Sequence, residues 1–213
     1  MQSSVLVRSA MIVVDVQRDF CPGGALAVDQ GDQVVPVINA LAPRVAYVAA
    51  TKDWHPAGHV SFASSHSGKK PFDSVELADG TSQILWPDHC VQATPGSEFQ
   101  PDLDTRPLDV ILHKGANPRL DSYSAFFEND KRTSTGLVHL LRGNGFDTLL
   151  ICGLATDVCV FFTAMDARKL GFSVYVVEDA CRGVDVPSGS VQNALTELRS
   201  AGCQIVHSAE LSS

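Results

Sequence analysis

The sequence predicts a three-layer α/β/α fold built around a central, mainly parallel sheet of six strands. Strand-sized apolar runs alternate with helical segments along the whole chain, and this alternation favours βαβ units and therefore a parallel sheet. Hydrophobic residues make up 45% of the 213 residues and charged residues 19%, which is typical of a globular chain with a full core. We expect one domain over residues 1–213.

Six segments are predicted as strands because each is apolar, mostly β-branched or aliphatic, and bounded by Gly, Pro, Asp or Asn. In chain order they are residues 10–15, 45–50, 109–113, 147–152, 173–178 and 203–207. The helices are predicted over residues 32–42, 133–143, 157–170 and 188–201. In the third helix Thr156 or Asp157 can cap the start and Gly171 the end. Its apolar residues recur at helical spacing at Val158, Phe161, Phe162, Met165 and Leu170.

The segment 56–100 departs from this alternation, since it is long and contains Pro, Gly, Ser, His and Asp throughout. A connection of that length in a compact domain is usually functional or contains short elements of its own. It directly follows Asp53 and His55, so we expect it to form a wall of the functional site.

Charge and composition exclude several classes of protein. The net charge is −8, from 16 basic and 24 acidic residues, which argues against a nucleic-acid partner. The apolar runs are well short of the roughly 20 residues of a membrane span, so no membrane association is expected. The six cysteines form no CxxC pair and no disulfide-framework spacing, which favours a reduced, cytoplasmic protein.

Chemically capable residues stand at the ends of four predicted strands. They are Asp15, then Asp53 with His55, then Lys114, and finally Cys159 just beyond the fourth strand. Parallel sheets bind their ligands at the carboxyl ends of the strands, so these side chains can converge although they are far apart in sequence. A carboxylate, an ammonium, a thiol and a ligand pair in one crevice outline a nucleophilic hydrolase.

Cys159 is the strongest candidate nucleophile. It lies in the first turn of the third predicted helix, where partial positive charge and free N–H groups lower the pKa of a thiol. Gly153 upstream admits a tight turn. Most buried cysteines are inert, and Cys21 and Cys90 compete for the role, but neither has a helix start behind it.

Asp15 and Lys114 are predicted to work with that thiol. A carboxylate at the end of an apolar strand is costly unless it is paired, and a nearby ammonium keeps it ionised and oriented. Taken alone, the two residues are equally consistent with a structural ion pair in a cleft.

Asp53, His55 and His89 are candidate metal ligands. Asp53 and His55 are two residues apart, on the same side of an extended segment, and His89 lies in the rigid turn WPDHC. Two imidazoles and a carboxylate leave positions open for water or substrate, as catalytic metal sites do. His59 and His66 are alternatives for the third ligand, and without a third ligand the pair would be ordinary polar loop residues. Zinc, iron(II) and manganese all suit these ligands.

Six segments together resemble the nicotinamidases, a family of isochorismatase-like cysteine hydrolases. They are DVQRDFCPGGALAV (15–28), TKDWHP (51–56), WPDHCV (86–91), HKG (113–115), DSYSAFF (121–127) and GLATDVCV (153–160). They follow the family's order over nearly the whole chain. DWH together with WPDHC narrows the resemblance to nicotinamidases, because several relatives lack the metal site.

The resemblance implies the isochorismatase-like hydrolase fold and the hydrolysis of nicotinamide to nicotinate and ammonia through a thioester, with pyrazinamide as a further substrate. It implies a catalytic triad of Asp15, Lys114 and Cys159. It also implies one divalent metal ion, zinc before iron or manganese, bound by Asp53, His55 and His89. Related enzymes often form dimers or larger assemblies, so a homo-oligomer is a further expectation.

For the substrate, the resemblance implies an oxyanion hole formed by the N–H groups of Ala155 and Cys159, with a cis peptide bond before Ala155. Phe20 and Trp86 match the family's aromatic walls around the pyridine ring, and Tyr123 lies close to the pocket. Ala155 is also expected to contact the substrate.

Three alternatives are open at this point. One is an isochorismatase-type ether hydrolase, although isochorismatase itself lacks the nucleophilic cysteine that Cys159 would provide. Another is a different amidase of the superfamily, such as an N-carbamoyl hydrolase. The last is a catalytically inactive member that acts as a binding protein.

Overall fold

The structure, a computed structural model of the chain, describes residues 6, 8–78 and 80–212. Its main sheet consists of six strands: β1 (Ala10–Val14), β2 (Tyr47–Asp53), β5 (Val110–Lys114), β6 (Thr148–Leu154), β7 (Ser173–Arg182) and β8 (Gln204–Val206). Their order in the sheet is β5-β2-β1-β6-β7-β8, and every neighbouring pair is parallel. The predicted six-stranded parallel sheet is confirmed.

The helices connect the strands and pack against the sheet. They are α1 (Val34–Leu41), α2 (Leu137–Gly143), α3 (Phe161–Lys169) and α4 (Ser190–Ser200). Each corresponds to a predicted helix with its bounds moved by a few residues, except that the third begins with one π-helical turn at Thr156–Val160. Of the helices that the structure describes, none combines the length and apolar character needed to cross a bilayer.

Four of the five residues in the predicted apolar stripe of the third helix pack against the core as partly buried side chains, namely Val158, Phe161, Met165 and Leu170. The fully buried positions of this helix include the small residues Thr163, Ala164 and Ala167, whereas Phe162 is only half-buried and packs its ring 5.3 Å from that of Tyr123. Small side chains let the helix approach its neighbours closely, so the bulky residues are displaced to the flanks of the interface.

The segment 56–100 contains short elements of its own, as its length predicts. Single 3₁₀ turns lie at Ala63–Ser65 and Pro95–Ser97. Between them β3 (Ser74–Glu76) and β4 (Ser82–Ile84) form an antiparallel hairpin that is separate from the main sheet. The chain then returns to the interior at Leu85 and Trp86, which are both buried.

Candidate active site

Lys114 occupies the centre of a buried group of reactive side chains at the carboxyl ends of the strands. Its Nζ lies 2.8 Å from Asp15 Oδ2 and 3.5 Å from Cys159 Sγ. The ammonium also hydrogen-bonds Asp53 Oδ1 and donates to the carbonyl of Ser122 at 3.0 Å. Lys114 is 0% exposed. We call Asp15, Lys114 and Cys159 the reaction cluster.

Strand register brings these residues together. Asp53 at the end of β2 is the register partner of Lys114 at the end of β5, and Val14 at the end of β1 pairs with Gly153 in β6. Gly153 has a φ of +114°, and a Cβ there would lie 2.1 Å from the carbonyl oxygen of Val14. Only glycine therefore lets the chain turn from β6 towards Cys159 so close to β1.

Asp15 is hydrogen-bonded by Thr51, a residue whose role the sequence does not predict. The Thr51 hydroxyl donates to Asp15 Oδ1 at 2.7 Å and accepts the backbone N–H of Asp15 at 3.2 Å. Oδ2 faces the ammonium, and among the described residues it accepts no hydrogen bond of good angular geometry. That oxygen therefore keeps lone pairs available for a proton.

Burial and charge set the protonation states of the cluster. Burial raises the pKa of Asp15, and Lys114 only partly offsets it, so Asp15 is a stronger base than an exposed carboxylate. Burial alone would discharge Lys114, but the carboxylates of Asp15 and Asp53 outweigh it and hold the pKa of the ammonium well above its ordinary value. For Asp53, Lys114 and His55 outweigh burial and hold the pKa of the carboxyl well below its usual range.

The pKa of the Cys159 thiol is raised, whereas its position at a helix start predicts a lowered value. Cys159 is 6% exposed, and burial raises the pKa of its thiol well above the ordinary value, with Lys114 opposing the change. Desolvation of a thiolate outweighs the partial charge of one helical turn. The thiol is therefore protonated at rest and needs a base, and Asp15 lies next to it.

Asp157 is a predicted cap of the third helix, but its carboxylate binds elsewhere. It accepts the backbone N–H groups of Val184 and Asp185, each at 2.9 Å, and the hydroxyl of Ser190. These bonds attach the turn that contains Cys159 to the segment that contributes Val184 to the pocket.

Asp53, His55 and His89, which we call the ligand cluster, converge on one point. Asp53 Oδ2 lies 3.6 Å from His55 Nε2 and 3.7 Å from His89 Nε2. The Nδ1 atoms lie 3.0 Å from the carbonyl of Gly115 and 2.7 Å from that of Pro87, respectively. A carbonyl can only accept, so each ring donates from Nδ1 and presents the lone pair of Nε2 to the shared point.

This arrangement fits a metal ion. Ligand atoms at about 2.1 Å from a tetrahedral cation are about 3.4 Å apart, and the separations of 3.6 and 3.7 Å are close to that value. Gly115 makes room for one of the rings, since its φ is +65° and a Cβ there would lie 2.4 Å from His55 Cε1.

The two alternative histidines are engaged elsewhere. His59 lies beside His55, with ring centroids 4.3 Å apart, but Nδ1 is 2.7 Å from the Ser61 hydroxyl and Nε2 is 2.9 Å from the carbonyl of Asn117. His66 Nε2 contacts the carbonyl of Val60 at 2.7 Å. Neither residue belongs to the group that Asp53 forms with His55 and His89.

One pocket is lined by Cys159 of the reaction cluster and by all three residues of the ligand cluster. Of the predicted substrate contacts, Phe20, Trp86, Tyr123 and Ala155 all line it. The peptide bond between Leu154 and Ala155 is cis, as the resemblance implied. Sequence reasoning missed four other lining residues, namely Leu26, Asp121, Val158 and Val184. Their types alone carry no signal, although three of them lie within the family-like segments.

The competing cysteines are buried but lie away from the pocket lining. Burial raises the pKa of the Cys21 thiol to about 11 and that of Cys90 well above its ordinary value. Of these three thiols, only that of Cys159 lies within hydrogen-bonding distance of the Lys114 ammonium.

Several known proteins are similar to this chain in sequence. The model of the isochorismatase domain matches residues 9–210. A nicotinamidase of Acinetobacter baylyi is 49% identical over 199 residues, which are 93% of this chain and 92% of that protein.

Solved structures are similar as well. A nicotinamidase and pyrazinamidase of Acinetobacter baumannii superposes with a TM-score of 0.92 at 48% identity, covering 96% of this chain and 98% of the other. The pyrazinamidase of Pyrococcus horikoshii, in complex with zinc, superposes with a TM-score of 0.76 at 40% identity, covering 94% and 99%.

Proposed function

Since this chain belongs to the isochorismatase family, we propose that it is an amidohydrolase that converts nicotinamide to nicotinate and ammonia. One observation carries the proposal: the Lys114 ammonium lies between the Asp15 carboxylate and the Cys159 thiol, beside a pocket that the ligand cluster also lines. The names of the most similar relatives support the same substrate.

The ring of the substrate fits the aromatic part of the pocket. Phe20 and Trp86 provide apolar faces against which a pyridine ring can pack, and the ligand cluster lies at one side of Phe20, whose ring centroid is 5.4 Å from that of His89. We place the substrate with its ring nitrogen towards the ligand cluster and its carboxamide towards Cys159.

The reaction begins with a proton transfer from the Cys159 thiol to Asp15. The charge of Lys114 stabilises the thiolate as it forms, which compensates for the burial that otherwise keeps the sulfur protonated. The sulfur then attacks the carboxamide carbon. The N–H groups of Ala155 and Cys159 are our candidates for binding the developing oxyanion, and each such donor contributes about 3 kcal/mol in well-studied enzymes.

Asp15 next returns the proton to the amide nitrogen, so that the carbon–nitrogen bond breaks and ammonia leaves. The acyl group remains on Cys159 as a thioester. A water molecule that loses its proton to Asp15 attacks the thioester, the carbon–sulfur bond breaks, and the proton on Asp15 restores the thiol. One carboxylate thus acts as base and acid in turn.

Asp53, His55 and His89 would hold one divalent cation. When bound, the cation supplies a Lewis acid that orients a pyridine nitrogen. Zinc is our first candidate, because two imidazoles and a carboxylate suit it and a similar pyrazinamidase was solved with zinc. Pyrazinamide has the same arrangement of ring nitrogen and carboxamide, and we propose it as a second substrate.

The test is to incubate the purified protein with nicotinamide, measure ammonia, and repeat with the Cys159→Ala variant. We expect release by the parent and a loss of at least about 10³-fold in the variant, because no other group replaces the nucleophile. Cys90→Ala is the matched control and should keep its activity. Ammonia release by Cys159→Ala at the parent rate would refute the covalent route, and hydrolysis of ureido acids in place of nicotinamide would favour an N-carbamoyl hydrolase.

A further inference from the structure

Val184 lines the pocket although it lies in a largely exposed segment. The chain from residue 183 to residue 189 connects β7 to α4 without regular structure, and positions 185–188 are exposed. Val184 is instead half-buried, packs against the core and lines the pocket. A loop residue that contributes to a binding site depends on the surrounding structure for its position, so the contacts of this segment show what places Val184.

Asp157 attaches this segment to the turn that contains Cys159. Its Oδ1 accepts the backbone N–H of Val184, and its Oδ2 accepts that of Asp185, each at 2.9 Å. These N–H groups belong to the two peptide units on either side of the Val184 Cα. Hydrogen bonds from backbone N–H groups to a carboxylate are stronger than those between neutral groups, so one side chain fixes the backbone that directs Val184 into the pocket.

The other attachments of the segment do not reach the pocket lining. The pairing of β7 with β6 ends at Arg182, whose register partner is Leu154. Asp185 Oδ1 accepts the N–H groups of Gly189 and Val191 at 2.9 and 3.2 Å, and these bonds close the turn upon itself. The carboxylate of Asp157 therefore provides the link that places Val184 relative to Cys159.

Val184 is one of three branched aliphatic residues in the pocket lining, together with Leu26 and Val158. Their side chains carry no hydrogen-bond donor or acceptor, so they discriminate between ligands by size and polarity. In the substrate orientation that we propose, the ring nitrogen and the carboxamide are directed at the ligand cluster and Cys159. The C–H groups of the ring are the part of the substrate that remains for aliphatic side chains to contact.

We propose that Val184 limits the size of the aromatic ring that the pocket accepts, and that Asp157 is the positioning residue that holds Val184 in place. This inference rests on the proposed function, and it narrows the substrate class to aromatic amides whose ring carries no further substituent towards Val184. A larger ring is excluded because Val184 cannot move away from it without breaking the hydrogen bonds to Asp157.

The experiment compares nicotinamide with each of its ring-methylated derivatives. The readout is the selectivity ratio, which is kcat/KM for a methylnicotinamide divided by kcat/KM for nicotinamide. A general loss of structure lowers the amount of active enzyme for both substrates and leaves this ratio unchanged. Val184→Ala removes two methyl groups from the lining, so we expect the ratio to rise at least about tenfold for at least one derivative, as one methyl group in an apolar pocket allows.

Asp157→Asn tests the positioning role. In either orientation the new amide turns its NH₂ group towards one of the two backbone N–H groups, so Val184 is less firmly held. We expect the ratio for the same derivative to rise about fivefold, the effect of one lost hydrogen bond. In the double variant with Val184→Ala the ratio should equal that of Val184→Ala alone, because the side chain that Asp157 positions is then truncated.

Two further variants complete the set. Ser190→Ala removes the hydroxyl that donates to Asp157 without changing the turn that contains Cys159, and the ratio should rise about twofold. Asp130→Asn is the matched control, because Asp130 also accepts two backbone N–H groups and one hydroxyl, from Arg132 and Thr133, but does not line the pocket. It should keep the ratio of the parent.

Four results would overturn the proposal. They are an unchanged ratio for every derivative in Val184→Ala, an unchanged ratio in both Asp157→Asn and Ser190→Ala, a further rise in the double variant beyond Val184→Ala, or a rise in Asp130→Asn equal to that in Asp157→Asn. Each is distinct from failure of the proposed function, which would appear as absent ammonia release from nicotinamide by the parent.

Discussion

The reaction cluster and the ligand cluster lie side by side but are built differently. Asp15 and Lys114 lie at or directly after the ends of β1 and β5, and Cys159 follows β6 by one turn. In the ligand cluster only Asp53 belongs to the main sheet, whereas His55 and His89 lie in the segments that follow it. Parallel register positions the first group, and ring-to-carbonyl hydrogen bonds position the second.

Asp53 connects the two clusters. Its Oδ1 binds the Lys114 ammonium, while Oδ2 faces the two histidines. One carboxylate therefore pairs with the Lys114 ammonium of the reaction cluster and would supply an oxygen ligand to the proposed metal ion. A substitution at Asp53 therefore alters both clusters, whereas a substitution elsewhere can alter one cluster alone.

The largest loss of activity and of metal affinity is expected from Asp53→Asn, because Asp53 contacts both clusters. The amide keeps the shape but removes the charge shared by Lys114 and the histidines, so we expect metal affinity and kcat each to fall by about 10²-fold or more, and stability by roughly 3 kcal/mol. His89→Ala removes a ligand without touching Lys114. Metal titration followed by an ammonia assay separates them: excess metal should restore activity to His89→Ala but not to Asp53→Asn. Equal rescue of both variants would show that Asp53 serves only as a ligand.

A smaller effect, confined to the ligand cluster, is expected from Gly115→Ala. The new Cβ would lie 2.4 Å from His55 Cε1, so the ring must rotate and metal affinity should fall about tenfold. Gly58→Ala is the matched control, since it has a similar φ of +74° with open space around it. Equilibrium dialysis against zinc measures the affinity. Equal losses in both variants would attribute the effect to backbone strain and not to the ring.

The smallest effect is expected from Thr51→Val, which alters only the reaction cluster. Valine removes the 2.7 Å hydrogen bond to Asp15 Oδ1, worth about 1 kcal/mol, so kcat/KM should fall up to about tenfold with unchanged metal content. Thr163→Val is the control, because it also loses a buried hydroxyl, one that accepts the N–H of Ala125, without contact to either cluster. A loss of metal from Thr51→Val would contradict the separation of the two clusters.

The strands of the sheet could be predicted because each is specified by a short run of apolar residues in the sequence. Residues such as Met11–Val14 form a continuous apolar run, and a strand buried on both faces requires such a run. Local signals located α3 but not its fully buried positions, because burial there depends on how closely the helix approaches its neighbours. They failed for the pKa of the Cys159 thiol, because the helix start is visible in the sequence and the depth of burial is not.

Within the candidate site, the residue types at the strand ends could be read from the sequence, and the family-like motifs assigned roles to them. Two contacts became visible only in the folded chain: Thr51 hydrogen-bonds Asp15, and His59 contacts Ser61 and Asn117. The reason is physical: a strand or helix is selected by neighbours a few residues away, whereas a hydrogen-bond partner is selected by distances between segments that only the packed chain fixes.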